Sequence, residues 1–214
     1  KDQTLQVPHF YHDKGWDGLS PLEVRHMAHI WGMSMAAEDM DRLKQQRNYA
    51  ARDWEKVTSQ GNKHGGGNDA PWIAYLQGEY PDYPEDILQY NHAQVYQRLA
   101  FMRDDVEDPA TYGDWYLQVR NPITVEGLIQ LTMGGPLFMY NGGLPVTRLR
   151  YFDAQRKRPG LPEDVGALVE KLEDKRAVLH LVNLSAIEER QVLVQGGGFG
   201  EHRFTQVTYQ RRRE

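Results

Sequence analysis

The chain has 214 residues, 40% hydrophobic and 26% charged, with a net charge of −5. This length and balance fit one large or two small soluble globular domains. The acidic balance excludes a general nucleic-acid binder, whose affinity comes from Lys and Arg meeting phosphate, and no apolar run reaches the roughly 20 residues of a membrane helix.

Residues 1–20, KDQTLQVPHFYHDKGWDGLS, read as irregular, dense in aromatics, His and turn formers. Ser20-Pro21 then signals a helix, with Ser20 as N-cap, Pro21 at the first helical position and Glu23 completing a capping box. The spacing predicts one helix to about residue 57. Between Val24 and Met40 it is apolar nearly all round and is expected to be buried; after Asp39 it turns polar. A glycine-rich stretch follows, GNKHGGGNDAPW over 61–72, and the residues from Pro71 to Leu76 suit a short helix. Asp82-Tyr-Pro-Glu85 is the next start signal. From there Ile87, Asn91, Val95, Leu99 and Met102 trace one face of a helix to about Arg103. Residues 104–120 are a turn-rich connector; Asn121-Pro122 opens a further helix that ends at Gly134-Gly135-Pro136.

Beyond Pro145 the period changes. VTRLRYF, ALVEKLE, AVLHLVNLS, RQVLVQ and HRFTQVTY read as short strands, separated by turns such as Asp174-Lys175 and Gly196-Gly197-Gly198. Strands without an intervening helix predict an antiparallel sandwich. The expected fold is α+β, with a helical domain over 1–143 and a β-sandwich over 144–214.

WYLQVRNPITVEGLIQLTMGGP is similar to the closing helical hairpin, and AVLHLVNLSAIEERQVLV to the C-terminal sandwich, of carbohydrate-active proteins. Those are built on an (α/α)6 toroid followed by a β domain, and include glycoside hydrolases and polysaccharide lyases. The resemblance is architectural and covers most of the chain. It implies the C-terminal part of such a protein, because three or four helices are visible and a full toroid has twelve. The first residue is Lys1 and no signal peptide is visible, so a fragment, a processed product or one subunit of a larger assembly is expected. A saccharide substrate and a further polypeptide are the expected partners.

The glycine-rich stretch carries the first candidate site. A phosphate loop needs a preceding strand and a Gly-Lys-Ser/Thr end, and an esterase-type HGGG loop needs a Gly-x-Ser-x-Gly nucleophile; neither companion is present. A saccharide cleft suits the residues better. Asn62, His64, Asn68 and Asp69 offer planar hydrogen-bonding groups, and Trp72 offers a ring for stacking. The plainer alternative is a loop whose glycines permit turns. Glycoside hydrolysis needs two carboxylates, and elimination needs a base beside a neutralised acid. Asp69, Asp114 and Glu126 are the candidates, with His64 and Asp69 the leading acid/base groups. Glu126 falls in the first turns of a helix, whose dipole favours its ionised form; the alternative is a solvated helix residue. Trp16 and Trp115 are further stacking platforms, Arg120 and Asn121 suit an anionic group, and Tyr140-Asn141 suits a cleft lip.

His26 and His29 are three apart on one helix face, a spacing repeated by His9 and His12 near Asp13 and Asp17. Zinc needs three or four ligands, and no His-Glu-x-x-His motif is present, so core or cleft histidines are the simpler reading, and a metal-dependent enzyme using His26 and His29 is the weaker alternative. No motif asks for a cofactor. The absence of Cys excludes disulfide and thiol chemistry and leaves redox silent on compartment.

Overall fold

The computed structural model describes residues 6–13, 15–21, 24–47, 54–58, 67–113, 116, 124–136 and 146–211. The fold is α+β, with helices in the first two-thirds of the chain and antiparallel sheets at both ends.

The first element corrects the sequence reading. Gln6–His12 (β1) and Gly15–Pro21 (β2) pair antiparallel, with Tyr11 opposite Trp16 and His12 opposite Gly15. Phe10 and Tyr11 in one run and Trp16 in the other are strand formers, and the two-residue link between the runs suits a hairpin. Ser20 and Pro21 therefore close β2 instead of capping a helix, and α1 (Val24–Ser34) begins later.

The single helix expected to residue 57 is two. Met35 takes a φ of 51°, and α2 runs Ala37–Arg47. Ser34 makes the break without Gly or Pro. Its hydroxyl accepts from the Ala36 N–H at 3.1 Å and donates to Asp39 at 2.5 Å, so a side chain replaces the helical ladder. Asp39 also pairs with Arg42 one turn on. Nor is α1 buried all round: Val24, Met27, Ala28 and Trp31 face inward, while Ile30 and Met33 are exposed.

Asp69–Leu76 forms α3 and Tyr83–Arg103 forms α4. The start of α4 falls where its Pro84 signal puts it, although Asp82 makes no side-chain capping bond. Its expected single face divides. Tyr83, Ile87, Asn91 and Gln94 are buried, whereas Leu99 and Met102 are exposed. A 3₁₀ turn, Pro109–Thr111, follows, capped by the Asp108 carboxylate on the Ala110 N–H at 2.9 Å. Glu126–Leu128 (α5) continues as a π-helical turn, Ile129–Met133. The turn stops at Gly134, whose φ of 62° is a left-handed geometry that other residues adopt at a cost. The Asn121-Pro122 start signal lies outside the described residues.

In the last third, Leu149–Asp153 (β3) pairs antiparallel with Arg158–Pro159 (β4) and with Val192–Gly196 (β7). Val165–Glu173 (β5) and Arg176–Asn183 (β6) form a separate hairpin. The predicted strand HRFTQVTY is not one: a single bridge joins Gly196 to His202, and residues 203–211 are exposed without regular structure.

Two apolar clusters hold the elements together. In one, Trp31 and Trp72 meet at 6.1 Å between ring centroids, amid Leu43, Ile73 and Ile87. The other is formed by Leu149 and Tyr151 of β3 with Val169 of β5. Leu172 of β5 packs against both clusters. The Tyr75 hydroxyl donates to the Val169 carbonyl at 3.5 Å, and burial, with Glu170 nearby, pushes that phenol up to about 12, so it stays a donor. The hairpin β5–β6 is thereby seated on α3.

Candidate functional site

Where α3 and α5 begin, the interior becomes polar. Asn68 and Glu126 are 0% exposed, Asp69 is 2% exposed, and Gln130 and Tyr83 are equally deep. Buried polar groups of this kind must be hydrogen-bonded to be tolerated, and the Tyr83 hydroxyl, 3.4 Å from the Asn68 carbonyl oxygen, joins these into one network.

Glu126 is the first residue of α5, and Gln130 follows four positions later on the same face. Both oxygens of Glu126 accept from Asn68: Oε1 from its backbone N–H, Oε2 from its side-chain amide at 2.9 Å. The Asn68 amide is further committed to Thr58, accepting from the Thr58 N–H at 2.9 Å and donating to the Thr58 carbonyl at 3.1 Å. The Gln130 amide donates to Asp69 Oδ1 at 3.1 Å, and the Tyr83 hydroxyl donates to Gln130 Oε1. Two buried carboxylates are thus tied down, Glu126 by Asn68 at the head of α3 and Asp69 by Gln130 in the π-helical turn. A third helix anchors the site: Asn91 of α4 accepts from the Gly127 N–H at 2.9 Å, supplying an acceptor for the first turn of α5.

Gly67 shows what one glycine of the GGG run does. A Cβ there would collide with Glu126 Oε1. The residue must lack a side chain because a carboxylate from a distant helix approaches the backbone at that point.

The structure brings together Asn68, Asp69 and Glu126 from the sequence-derived candidates. It corrects two expectations about them. Glu126 is not a solvated helix residue, because its whole carboxylate is enclosed. Trp72 is no stacking platform: at 1% exposure its ring serves the core against Trp31, which leaves no open face for a sugar. Trp16 stands in β2 opposite Tyr11. His64, Asn62, Asp114, Trp115, Arg120, Asn121, Tyr140 and Asn141 lie outside the described residues. Gln130 and Tyr83 escaped the sequence reading. The Glu126-x-x-x-Gln130 spacing was the available signal for the first; nothing local marked the second.

A family model described as "Domain of unknown function (DUF8034)" matches residues 1–129, more than half of the chain. The chain belongs to this family. No curated protein and no solved structure matches it. The DUF8034 match takes in Asn68, Asp69, Tyr83 and Glu126 and ends just before Gln130, inside the same helical segment.

The DUF8034 region also holds His26 and His29 of α1. Burial lowers the His29 pKa from 6.5, and the neighbouring His26 lowers it further, which fits two imidazoles on one face. Among the described residues no group of three or more His, Asp or Glu side chains is arranged to hold a metal ion. The pH consequence follows from linkage. The unfolded chain binds the His29 proton more tightly than the folded one. Its contribution to stability is therefore complete above pH 6.5 and declines as pH falls through the lowered folded value. Urea midpoints taken from pH 7.5 down to pH 5 should fall, and His29→Gln should flatten the decline; parallel curves would reject the assignment.

Proposed function

We propose that this chain is the C-terminal part, or a subunit, of a carbohydrate-active enzyme, a glycoside hydrolase or polysaccharide lyase. The observation that carries the reading is the pair of buried carboxylates, Asp69 and Glu126, within one hydrogen-bonded network at the heads of two helices. Cleavage of a glycosidic bond asks for two carboxyl groups with unlike environments, one to give a proton and one to take it or to stabilise positive charge. Here Glu126 accepts from Asn68 at both oxygens, and Asp69 accepts from the Gln130 amide. In this reading the helices belong to an α/α toroid, and the two C-terminal sheets, which share the cluster of Leu149, Tyr151 and Val169, are the bracing sandwich.

A second reading has its own support. Every polar atom of the Asn68 amide is spent on Thr58 and Glu126, as in a structural strut. On that reading the chain is a non-catalytic subunit that binds a larger partner.

One experiment separates them. The purified protein, with any chain that co-purifies, is assayed on neutral and uronate-containing polysaccharides for new reducing ends and for the absorbance of unsaturated uronates. The enzyme reading expects Asp69→Asn to lower turnover at least a hundredfold while the urea midpoint changes little. Full turnover in that variant, or turnover lost only in proportion to folded protein, leaves the strut reading.

A further inference from the structure

Side chains alternate along β3 and the residue before it. Leu149, Tyr151 and Asp153 are buried, while Arg148, Arg150 and Phe152 are half-buried on the opposite side. Arg150 lies opposite Gln195 of β7, and Phe152 lies opposite Leu193. The Arg150 guanidinium carbon is 5.1 Å from the centre of the Phe152 ring, a cation held against an aromatic face. The loop after β7 carries Phe199, whose ring is 63% exposed.

The two guanidinium groups are held by neutral acceptors. Arg148 donates to the Gly32 carbonyl, near the end of α1, at 2.8 Å, and its Nη1 lies 3.0 Å from His202 Nε2. Arginine only donates, so His202 is neutral there and carries its proton on Nδ1. Arg150 donates to the Gly198 carbonyl at 3.0 Å. Among the described residues neither arginine makes an ion pair, whereas Arg156, Arg158 and Arg190 of the same region each do. Burial pulls the Arg148 pKa below its ordinary value, and Glu201 and Asp174 push it up from beyond ion-pair reach. Glu201 is committed elsewhere: its carboxylate accepts from the Phe199 N–H at 2.8 Å, against a Gly197 that has no room for a Cβ. A half-buried cation is ordinarily matched by an acid. Here most N–H groups of both guanidiniums are left for one.

We propose that this side of β3 is a second saccharide site, in which Arg148 and Arg150 hold the carboxylate of a uronate-containing chain. That the carboxylate belongs to a saccharide rests on the carbohydrate-active reading above. The fixed forks of the guanidiniums suit a planar carboxylate. With Glu201 and Asp174 already acting on Arg148, the surface has little spare charge for a phosphate dianion, whereas a carboxylate carries one charge. Phe199 and Leu193 supply apolar surface for the sugar ring, and the Gln195 amide supplies polar groups for its hydroxyls.

Calorimetry on the full chain tests this with two probes, an oligouronate and the same oligosaccharide with its carboxyl groups reduced to alcohols. The oligouronate is expected to bind, and the reduced form to bind roughly tenfold more weakly or worse. Arg150→Gln is expected to weaken the oligouronate by a similar factor while the urea midpoint holds, and Arg150→Lys to restore only part of the loss. Arg150 is the residue to change, because Arg148 also secures the end of α1. A folded chain that binds no oligouronate overturns the proposal. So does equal affinity for the two probes, or an Arg150→Gln chain that binds like the parent. The catalytic reading fails separately: a chain that binds oligouronate through Arg150 and cleaves none leaves this site standing, and one that cleaves it with Arg150→Gln binding unchanged removes this site alone.

Discussion

Asn68→Ala is expected to destabilise the fold by about 3–5 kcal/mol, more than any change at the surface. The side chain is fully enclosed and meets three partners: the Thr58 N–H, the Thr58 carbonyl and Glu126 Oε2. Removing it withdraws a donor from a buried carboxylate and both counterparts from Thr58, each loss worth roughly 1–3 kcal/mol. Asn68→Asp sharpens the test, because it keeps the shape and turns the donating amide into a second acceptor beside Glu126. It is expected to be at least as damaging as alanine at pH 7. Urea denaturation reads both, as a lowered midpoint with unchanged slope. A loss below about 1 kcal/mol for Asn68→Ala would mean that the network does not hold α3 to α5.

Trp72→Ala should cost about 3–5 kcal/mol as well, by a different mechanism. The ring is at the centre of the helical cluster against Trp31, and alanine leaves a cavity that α1 and α3 cannot close without moving. Trp72→Phe keeps an aromatic in the space and should lose clearly less. The comparison also bears on saccharide binding. If the chain binds a soluble oligosaccharide, as proposed above, a core tryptophan predicts that Trp72→Phe leaves the affinity unchanged, by calorimetry on folded protein, whereas a stacking platform predicts weaker binding.

How far the sequence could be read depended on whether the deciding contact was local. The start of α4 at Tyr83 was visible from Pro84, and the end of the π-helical turn from Gly134, because both signals act through their own backbone. The strands β3, β5, β6 and β7 were visible as alternating or apolar runs between turns. The break after Ser34 was hidden, since a serine hydroxyl bonding to Ala36 and Asp39 looks no different in sequence from one in a continuous helix. The stripe from Ile87 to Met102 was correctly periodic, but periodicity does not say where a neighbouring helix ends. Asn91 faces α5, and Leu99 has passed beyond it.

By itself, then, the sequence determined the mixed α+β class and named Asn68, Asp69 and Glu126 among its candidate site residues. Turn chemistry and residue type are local properties, legible one window at a time. Only the tertiary structure decided that Glu126 closes on Asn68 across 58 positions of chain, that Gln130 and Tyr83 complete the network, and that Gly67 must be bare to admit the carboxylate. It also decided that Trp72 is core and that Phe204 to Tyr209 form no strand. Burial and pairing belong to two surfaces meeting, and neither surface carries the other's position in its own residues.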